Sequence, residues 1–361
     1  MTKNKKYLKF IIISGLFLLL NIMGSLTVTA DEKAGPGSFS YKVIFPENQM
    51  EKDVGYYHLK MEPGKEQTVQ IQFSNPSNKK TAIGVSVNSA VTNSNGVIEY
   101  GDSKIKKDKS LKFNLKDIVS APKKIELNPG ETKKLDVKIK MPETSFDGVI
   151  AGGIQLIQEG QDNVENKGGS MVLNEYAYVT AMLLQETDKK ITPKLSLNSV
   201  KAGQANFKNM VYINYSNTEP TFVDNMTTEV QINKKGDNAV AYERKQSKMR
   251  MAPNTFISFP VAMNGEQMTP GDYTAKILVT ADGGIREEWT KDFKITKEEA
   301  DKFNERDVGL TQDKGINWKL IAMIVVGFFV VVLIIVLIMM QIRKNKSKKK
   351  SGKKKKSGNR S

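Results

Sequence analysis

The sequence predicts an all-β chain of two tandem immunoglobulin-like β-sandwich domains, with an N-terminal signal peptide before them and one C-terminal transmembrane helix after them. Three observations carry this expectation. Apolar and polar residues alternate at a period of two in run after run from residue 38 nearly to 295, as they do in half-buried antiparallel strands. Pro-Gly turns punctuate the runs at Glu62-Pro63-Gly64, Asn128-Pro129-Gly130 and Thr269-Pro270-Gly271, where Pro presets φ and Gly tolerates a positive one. Long unbroken apolar runs stand only near the two ends of the chain.

Residues 1–30 carry Lys3, Lys5, Lys6 and Lys9, an apolar stretch over 10–20, and Val28-Thr29-Ala30 ahead of Asp31. A basic start, a short apolar core and small residues at the −3 and −1 positions describe a secretory signal, with cleavage expected between Ala30 and Asp31. Residues 31–37 form a leader with nothing to bury.

The first sandwich is expected over 38–187. In 68–73, Val69, Ile71 and Phe73 share one face while Gln70 and Gln72 take the other. In 134–141, Leu135, Val137, Ile139 and Met141 alternate with Asp136, Lys138 and Lys140. Further strands are expected at 81–89 and 97–100, on either side of a turn over 92–96. A short helical connection over 112–119 points Phe113, Leu115 and Ile118 inward. The apolar runs at 148–158 and 176–184 read as the last hairpin, and Gly152 and Gly153 inside it mark a bulge or a close backbone approach.

Polar residues around 186–193 end in Pro193, so the second sandwich is expected over 190–297. Its strands are placed at 210–215, 227–232, 255–263, 273–281 and 288–295. Gly236-Asp237-Asn238 and Asp282-Gly283-Gly284 are its hairpin turns. Thr296 with Glu299 fits a capping box, opening a short helix and then a polar stalk over 298–317.

Residues 320–340 contain no charge, polar amide or Pro, and 21 helical residues span roughly 31 Å, the thickness of a bilayer's hydrocarbon. Trp318 and Lys319 at the entrance and Arg343 and Lys344 at the exit suit the membrane interfaces. The 341–361 tail is rich in Lys and has no acid, so it is expected to be cytoplasmic, with the β domains outside the cell membrane. No Leu-Pro-x-Thr-Gly sorting signal precedes the span, which is therefore expected to stay as a single-pass anchor. An exported, Cys-free, Lys-rich chain on one membrane points to a Gram-positive bacterium.

The net charge of +16 comes from 55 Lys and Arg against 39 Asp and Glu. Fifteen of the basic residues lie in the acid-free ends, so the segment between is nearly neutral. That distribution does not describe a basic nucleic-acid groove and leaves room only for a local basic patch. With no Cys and only His58, thiol catalysis, disulfides, thiolate zinc sites and multi-histidine metal sites are excluded. No nucleophile elbow, zincin helix or phosphate-binding loop occurs. Glu287-Glu288 would face opposite sides of a strand, and Glu298-Glu299 sit on a polar helical turn. No catalytic residue, cofactor or metal ligand is assigned.

Binding is the chemistry that remains. Tyr56, Tyr57 and Tyr100 suit stacking on sugar rings beside polar Thr92 and Asn93, with core or edge packing as the plainer role for the tyrosines. The Gly-rich apolar hairpin could instead receive another protein by strand addition.

In order, the chain carries Glu62-Pro63-Gly64, Phe73-x-Asn75-Pro76, Ala90-x-Thr92-Asn93, Gly96-x-Ile98-x-Tyr100, Leu127-x-Pro129-Gly130-Glu131 and Phe146-Asp147-Gly148 leading into Gly152-Gly153-Ile154. Tyr176-Ala177-Tyr178-Val179 follows. This succession resembles the WxL-interacting proteins of Gram-positive bacteria over nearly the whole chain. The resemblance implies a first domain that binds peptidoglycan and a second that binds WxL-domain surface proteins and host extracellular proteins, with a family boundary near 160–170. The expected function is a membrane-anchored, non-catalytic adaptor. The alternatives are a wall-processing enzyme using a carboxylate pair and a sensor, for which a tail of about 20 residues leaves no signalling domain.

Overall fold

Period-two burial organises the chain in the computed structural model, which describes residues 39–160, 177–310 and 318–354. The expected signal peptide, with Ala30 and Asp31, lies outside these residues. The first β unit comprises β1 (Ser40–Ile44), β2 (Tyr57–Lys60), β3 (Glu66–Ser74), β4 (Thr81–Ser89), the short β5 (Val91–Thr92) and β6 (Ile98–Glu99), α1 (Leu115–Ile118), β7 (Val119–Ser120), β8 (Lys124–Leu127), β9 (Thr132–Lys140), β10 (Ile150–Gln158) and β11 (Ala177–Gln185). One sheet has the order β1-β3-β9-β7 and the other β2-β11-β10-β4-β8. All pairings are antiparallel except β2 with β11.

The alternation decides which faces meet. Val69, Ile71 and Phe73 of β3 and Leu135, Val137 and Ile139 of β9 turn inward against Ile83, Ile154 and Leu156 of the opposite sheet. Each such side chain stabilises the fold by roughly 1.5–3 kcal/mol on burial. Tyr57 is fully buried here, and its hydroxyl donates to the Gln70 carbonyl at 2.7 Å, which offsets the cost of enclosing a phenol. Leu115 and Ile118 of α1 are buried as expected, and Phe113 packs on Phe146 with ring centroids 5.2 Å apart.

Gly152 and Gly153 sit in β10, whose register against β4 and β11 is unbroken, so they mark a close approach and no bulge. A Cβ on Gly152 would lie 2.2 Å from the Asn88 carbonyl oxygen and 2.4 Å from Leu115 Cδ2. Gly152→Ala is expected to cost about 1–3 kcal/mol, seen as a lower thermal midpoint in calorimetry; an unchanged midpoint would contradict this contact.

The second β unit comprises β12 (Leu195–Ala205), β13 (Lys208–Asn217), β14 (Val223–Lys234), β15 (Val240–Met251), β16 (Thr255–Ala262), β17 (Gly271–Ala281) and β18 (Ile285–Ile295). A sheet β12-β13-β16 faces a sheet β15-β14-β17-β18 across a core that includes Val211, Ile213, Val230, Ile277 and Phe259. The turn expected at Thr269-Pro270-Gly271 is corrected: the chain turns at Asn264-Gly265, where the Glu266 N–H reaches the Met263 carbonyl at 2.9 Å, and Gly271, with φ of 158°, already opens β17. Tyr273, the third residue of β17, is buried and donates back to the Thr269 carbonyl at 2.9 Å. β12 and β15 lie where no strand is expected from the sequence. Both are edge strands, and the β12 register slips between Leu197 and Ser199, which breaks the alternation that would have revealed it.

α2 (Lys297–Arg306) opens with the capping box expected from Thr296 and Glu299. The polar stalk expected after the helix within 298–317 is corrected for the residues that follow Arg306. Asp307 is buried, and its carboxylate accepts from the Asn209 and Gly309 backbone N–H groups, each at 2.7 Å, so the chain stays docked on the β12–β13 hairpin. α3 (Trp318–Lys354) follows. Within it Ile321–Met340 is apolar and long enough to cross a membrane, and no other part of the described chain covers it.

Candidate functional site

An open cleft of about 630 Å³ lies on the first unit, floored by Val179, Thr180 and Ala181 of β11 and walled by Gly55–Tyr56 on one side and 98–102 on the other. Its Tyr56 wall is a loop held by buried Gln49, whose amide donates to the carbonyls of Glu51 at 2.8 Å and Tyr56 at 3.0 Å. Thr180 Oγ1 donates to the Gly55 carbonyl at 3.0 Å. His58 braces the same loop, with ring nitrogens 3.0 Å from Glu51 Oε1 and 2.8 Å from Gln185 Oε1. Both ring nitrogens are thus occupied structurally.

The opposite wall approaches β10 closely because Gly153 has no side chain. A Cβ there would meet Tyr100 Cβ at 2.8 Å and the Tyr100 carbonyl oxygen at 2.9 Å. Gln155 Oε1 accepts from the Asp102 N–H at 2.7 Å and fixes the end of this wall. Asn93 Nδ2 donates to Glu99 Oε1 at 2.8 Å and Ser103 Oγ to Glu99 Oε2 at 3.3 Å, so this carboxylate is held in place.

Of the residues singled out from sequence, Tyr56 and Tyr100 come together in the cleft. Tyr57, adjacent to Tyr56 and so on the opposite face, belongs to the core and presents nothing to a ligand. Asn93 stands behind Glu99 and builds its turn by accepting from the N–H groups of Asn95 and Val97. Thr92 is enclosed where the two units meet: its Oγ1 lies 2.7 Å from Thr255 Oγ1 and accepts from the Ala252 N–H at 3.1 Å. Gly55, Glu99, Asp102 and Thr180 were missed. No local pattern marks them, because β11 and the 98–102 segment meet only through the sheet. Trp318, Lys319, Arg343 and Lys344 fall on the backbone of α3 on either side of Ile321–Met340, and their side chains lie outside the described residues.

The same cleft borders the junction between the units. Tyr56, Tyr100, Ile98 and Phe222 pack around a small cluster of Ala90, Ala151, Leu183 and Ala252. Backbone bonds run across it from Val149 N–H to the Pro220 carbonyl and from Arg250 N–H to the Gly96 carbonyl, each 2.7 Å. Arg250 also pairs with Asp224 at 2.5 Å. Burial pushes the Tyr100 phenol up, opposed by the charge of Arg250. Burial, with the hydrogen bond to Glu51, pushes Tyr56 up as well. Both phenols therefore stay protonated at neutral pH; the Tyr56 hydroxyl donates to Glu51 Oε2 at 3.1 Å and keeps its oxygen as an acceptor. The cleft thus offers two aromatic faces, two carboxylates and backbone polar groups, a set that matches the C–H faces and hydroxyl or amide donors of a sugar. Among the described residues no group of three or more His, Asp or Glu is placed to hold a metal ion.

Comparison with known proteins adds names to the two units. The family model of the WxL Interacting Protein peptidoglycan binding domain matches residues 39–158, and that of the WxL Interacting Protein host binding domain matches 167–305. The second match begins ahead of β11, which by pairing lies in the first unit. No curated protein matches the sequence. Similar solved structures include the CsuC-CsuE chaperone-tip adhesion subunit pre-assembly complex of Acinetobacter baumannii, at 12% identity over 72% of this chain and 99% of that one, with a TM-score of 0.31. The E. coli chaperone DraB matches at 11% identity over 67% and 96%, with a TM-score of 0.26. The Salmonella enterica SafA pilin in complex with the SafB chaperone matches at 11% over 71% and 97%, also at 0.26.

Proposed function

The chain belongs to the WxL-interacting proteins, with the peptidoglycan-binding and host-binding domains of that family in order, and from this premise we propose that it is a membrane-anchored, non-catalytic adaptor whose Tyr56–Tyr100 cleft takes a glycan segment of peptidoglycan. The observation that carries the proposal is the cleft itself: its paired phenols and the carboxylates of Glu99 and Asp102 all lie within the residues matched by the peptidoglycan binding domain, over a β11 floor that falls in the host binding match. Tyr rings cover sugar C–H faces at low conformational cost, and fixed carboxylates accept from hydroxyl and amide groups. The second unit engages a secreted WxL-domain protein or a host extracellular protein, and α3 holds the assembly in the cell membrane with its tail inside. Cofactors and nucleic acid have no part in this reading.

The test is a sedimentation assay of the detergent-solubilised full chain on purified sacculi, beside a pull-down with a WxL-domain protein of the same genome. Tyr56→Ala and Asp102→Asn are each expected to weaken sacculus binding by about tenfold or more, the scale of a central contact residue, and to leave the WxL pull-down unchanged. Unaltered sacculus binding in both variants would remove the cleft from the proposal. Release of soluble muropeptides, abolished by Glu99→Gln, would favour the wall-processing enzyme.

A further inference from the structure

The second unit has two poles. At one, Asn217 binds the Ala252 carbonyl, and Ala252 and Thr255 meet Thr92 of the first unit. At the other, the β12–β13 hairpin turns through Asn206 and Phe207 with φ of 50° and 57°. A two-residue turn with both φ values positive favours Asn followed by Gly, and a bulky residue in the second place is an outlier. Phe207 gains no packing in return, since it is 64% exposed. Its carbonyl accepts from the Val308 N–H at 3.0 Å, and Val308 is itself 71% exposed. Two uncovered apolar side chains therefore stand together at this pole.

The chain leaves the folded unit at the same place, and the exit is fixed. Gln204 Nε2 donates to the Phe303 carbonyl at 2.6 Å, Asn209 Nδ2 to Asn304 Oδ1 at 2.9 Å, and Asp307 holds the Asn209 N–H. Hairpin tip and α2 are thus one body. From Leu310 to Trp318 is eight residues, which reach at most about 29 Å when fully extended. With α3 in a bilayer, this pole is the membrane-facing end of the protein.

We infer that Phe207 and Val308 form an apolar foot that enters the headgroup–acyl boundary of the membrane holding α3 and seats the second unit on the lipid. The inference rests on the anchored reading above. An exposed aromatic side chain belongs at that boundary, and the short tether keeps it at high effective concentration, so a weak contact suffices. Lys208, Arg306, Glu266 and Glu305 give the pole both signs of charge, so the contact is apolar and does not depend on anionic lipid.

The chain contains no Cys, so Lys208→Cys places one environment-sensitive fluorophore beside the tip and leaves Phe207 in place. The labelled full chain is reconstituted into liposomes of phosphatidylcholine with and without phosphatidylglycerol, and a label at Lys133→Cys on the first unit serves as the aqueous reference. The label at 208 is expected to be blue-shifted, quenched by lipid-borne nitroxides and shielded from iodide in both lipid mixtures. Adding Phe207→Gly, which eases the turn, is expected to abolish the shift and restore iodide quenching. If the protein floats with the liposomes but the label at 208 behaves as it does at 133, the foot is refuted and the anchor stands. If the protein does not float, the anchored reading fails and the foot fails with it.

Discussion

Gly148→Ala is expected to uncouple the two β units. Gly148 has a φ of +90°, and a Cβ there would lie 2.3 Å from the Pro220 carbonyl oxygen and 2.8 Å from Pro220 Cγ. That carbonyl is the acceptor of the Val149 N–H, so the added methyl strikes a backbone atom of the other unit at one of the hydrogen bonds that join them. Neither side can yield as a flexible side chain would. The positive φ adds strain on the order of 1–3 kcal/mol for any L side chain. The apolar cluster at the junction is small, built from Ala90, Ala151, Leu183 and Ala252 with rings at the rim, so the strain falls on the polar contacts that remain, Thr92 with Thr255 and Ala252, Arg250 with Gly96, Ser216 with Asp108 and Gln246 with Asn95. The wild-type chain is expected to melt its β units in one endotherm and the variant in two. Spin labels at Lys133→Cys and Lys276→Cys, one per unit, should give a narrow distance distribution in the parent and a broad one in the variant. A single endotherm with a narrow distribution in the variant would refute the joint as described. Sacculus binding should weaken as well, since Tyr56 and Tyr100 back onto this cluster.

Removal of residues 319–361 is expected to release the protein from protoplast membranes into the medium completely. Ile321–Met340 is the one apolar stretch among the described residues long enough to span a bilayer. Without it the Phe207 foot offers only a small apolar contact, and one or two interfacial side chains bind lipid weakly and reversibly. Immunoblots of medium and washed protoplast membranes distinguish the outcomes, and retention of the truncated chain in the membrane fraction would contradict the anchor. The same blot of the full chain after shaving intact protoplasts with protease reports which side the β units occupy.

The strands legible in the sequence were those whose burial is one-sided and regular. β3 and β9 read directly because Val69, Ile71 and Phe73, and Leu135, Val137 and Ile139, each keep to one face. β12 and β15 escaped notice because their registers slip and break the alternation, whereas the other two edge strands of the unit, β16 and β18, keep theirs and were read. The Pro-Gly turns at Pro63-Gly64 and Pro129-Gly130, the capping box at Thr296 and the inward α1 residues follow from local chemistry alone and stand where that chemistry puts them, whereas the turn expected at Thr269-Pro270-Gly271 lies instead at Asn264-Gly265. The cleft was half legible. Tyr56 and Tyr57 look equivalent in sequence, yet neighbours on a strand-like segment face opposite ways, and only the register of β2 against β11 decides which ring reaches the surface. Thr92 looks like a polar loop residue until Thr255, 163 positions away, is brought against it. Gly152-Gly153 announced a close approach, but what approaches, Tyr100 on one side and α1 on the other, comes from tertiary packing.

The order of parts along the second unit also sets an altitude. β13 runs its 10 residues from the foot to the joint with the first unit, about 33 Å at 3.3 Å per residue, and the Tyr56–Tyr100 cleft lies just beyond that joint. In an anchored chain with a stiff joint, the cleft rides at a nearly constant height over the lipid, and strands of wall polymer much closer or much farther are out of its range. The protein then samples one stratum of the wall, and residues inserted between 310 and 318 would raise that stratum only if the foot were first lifted from the bilayer.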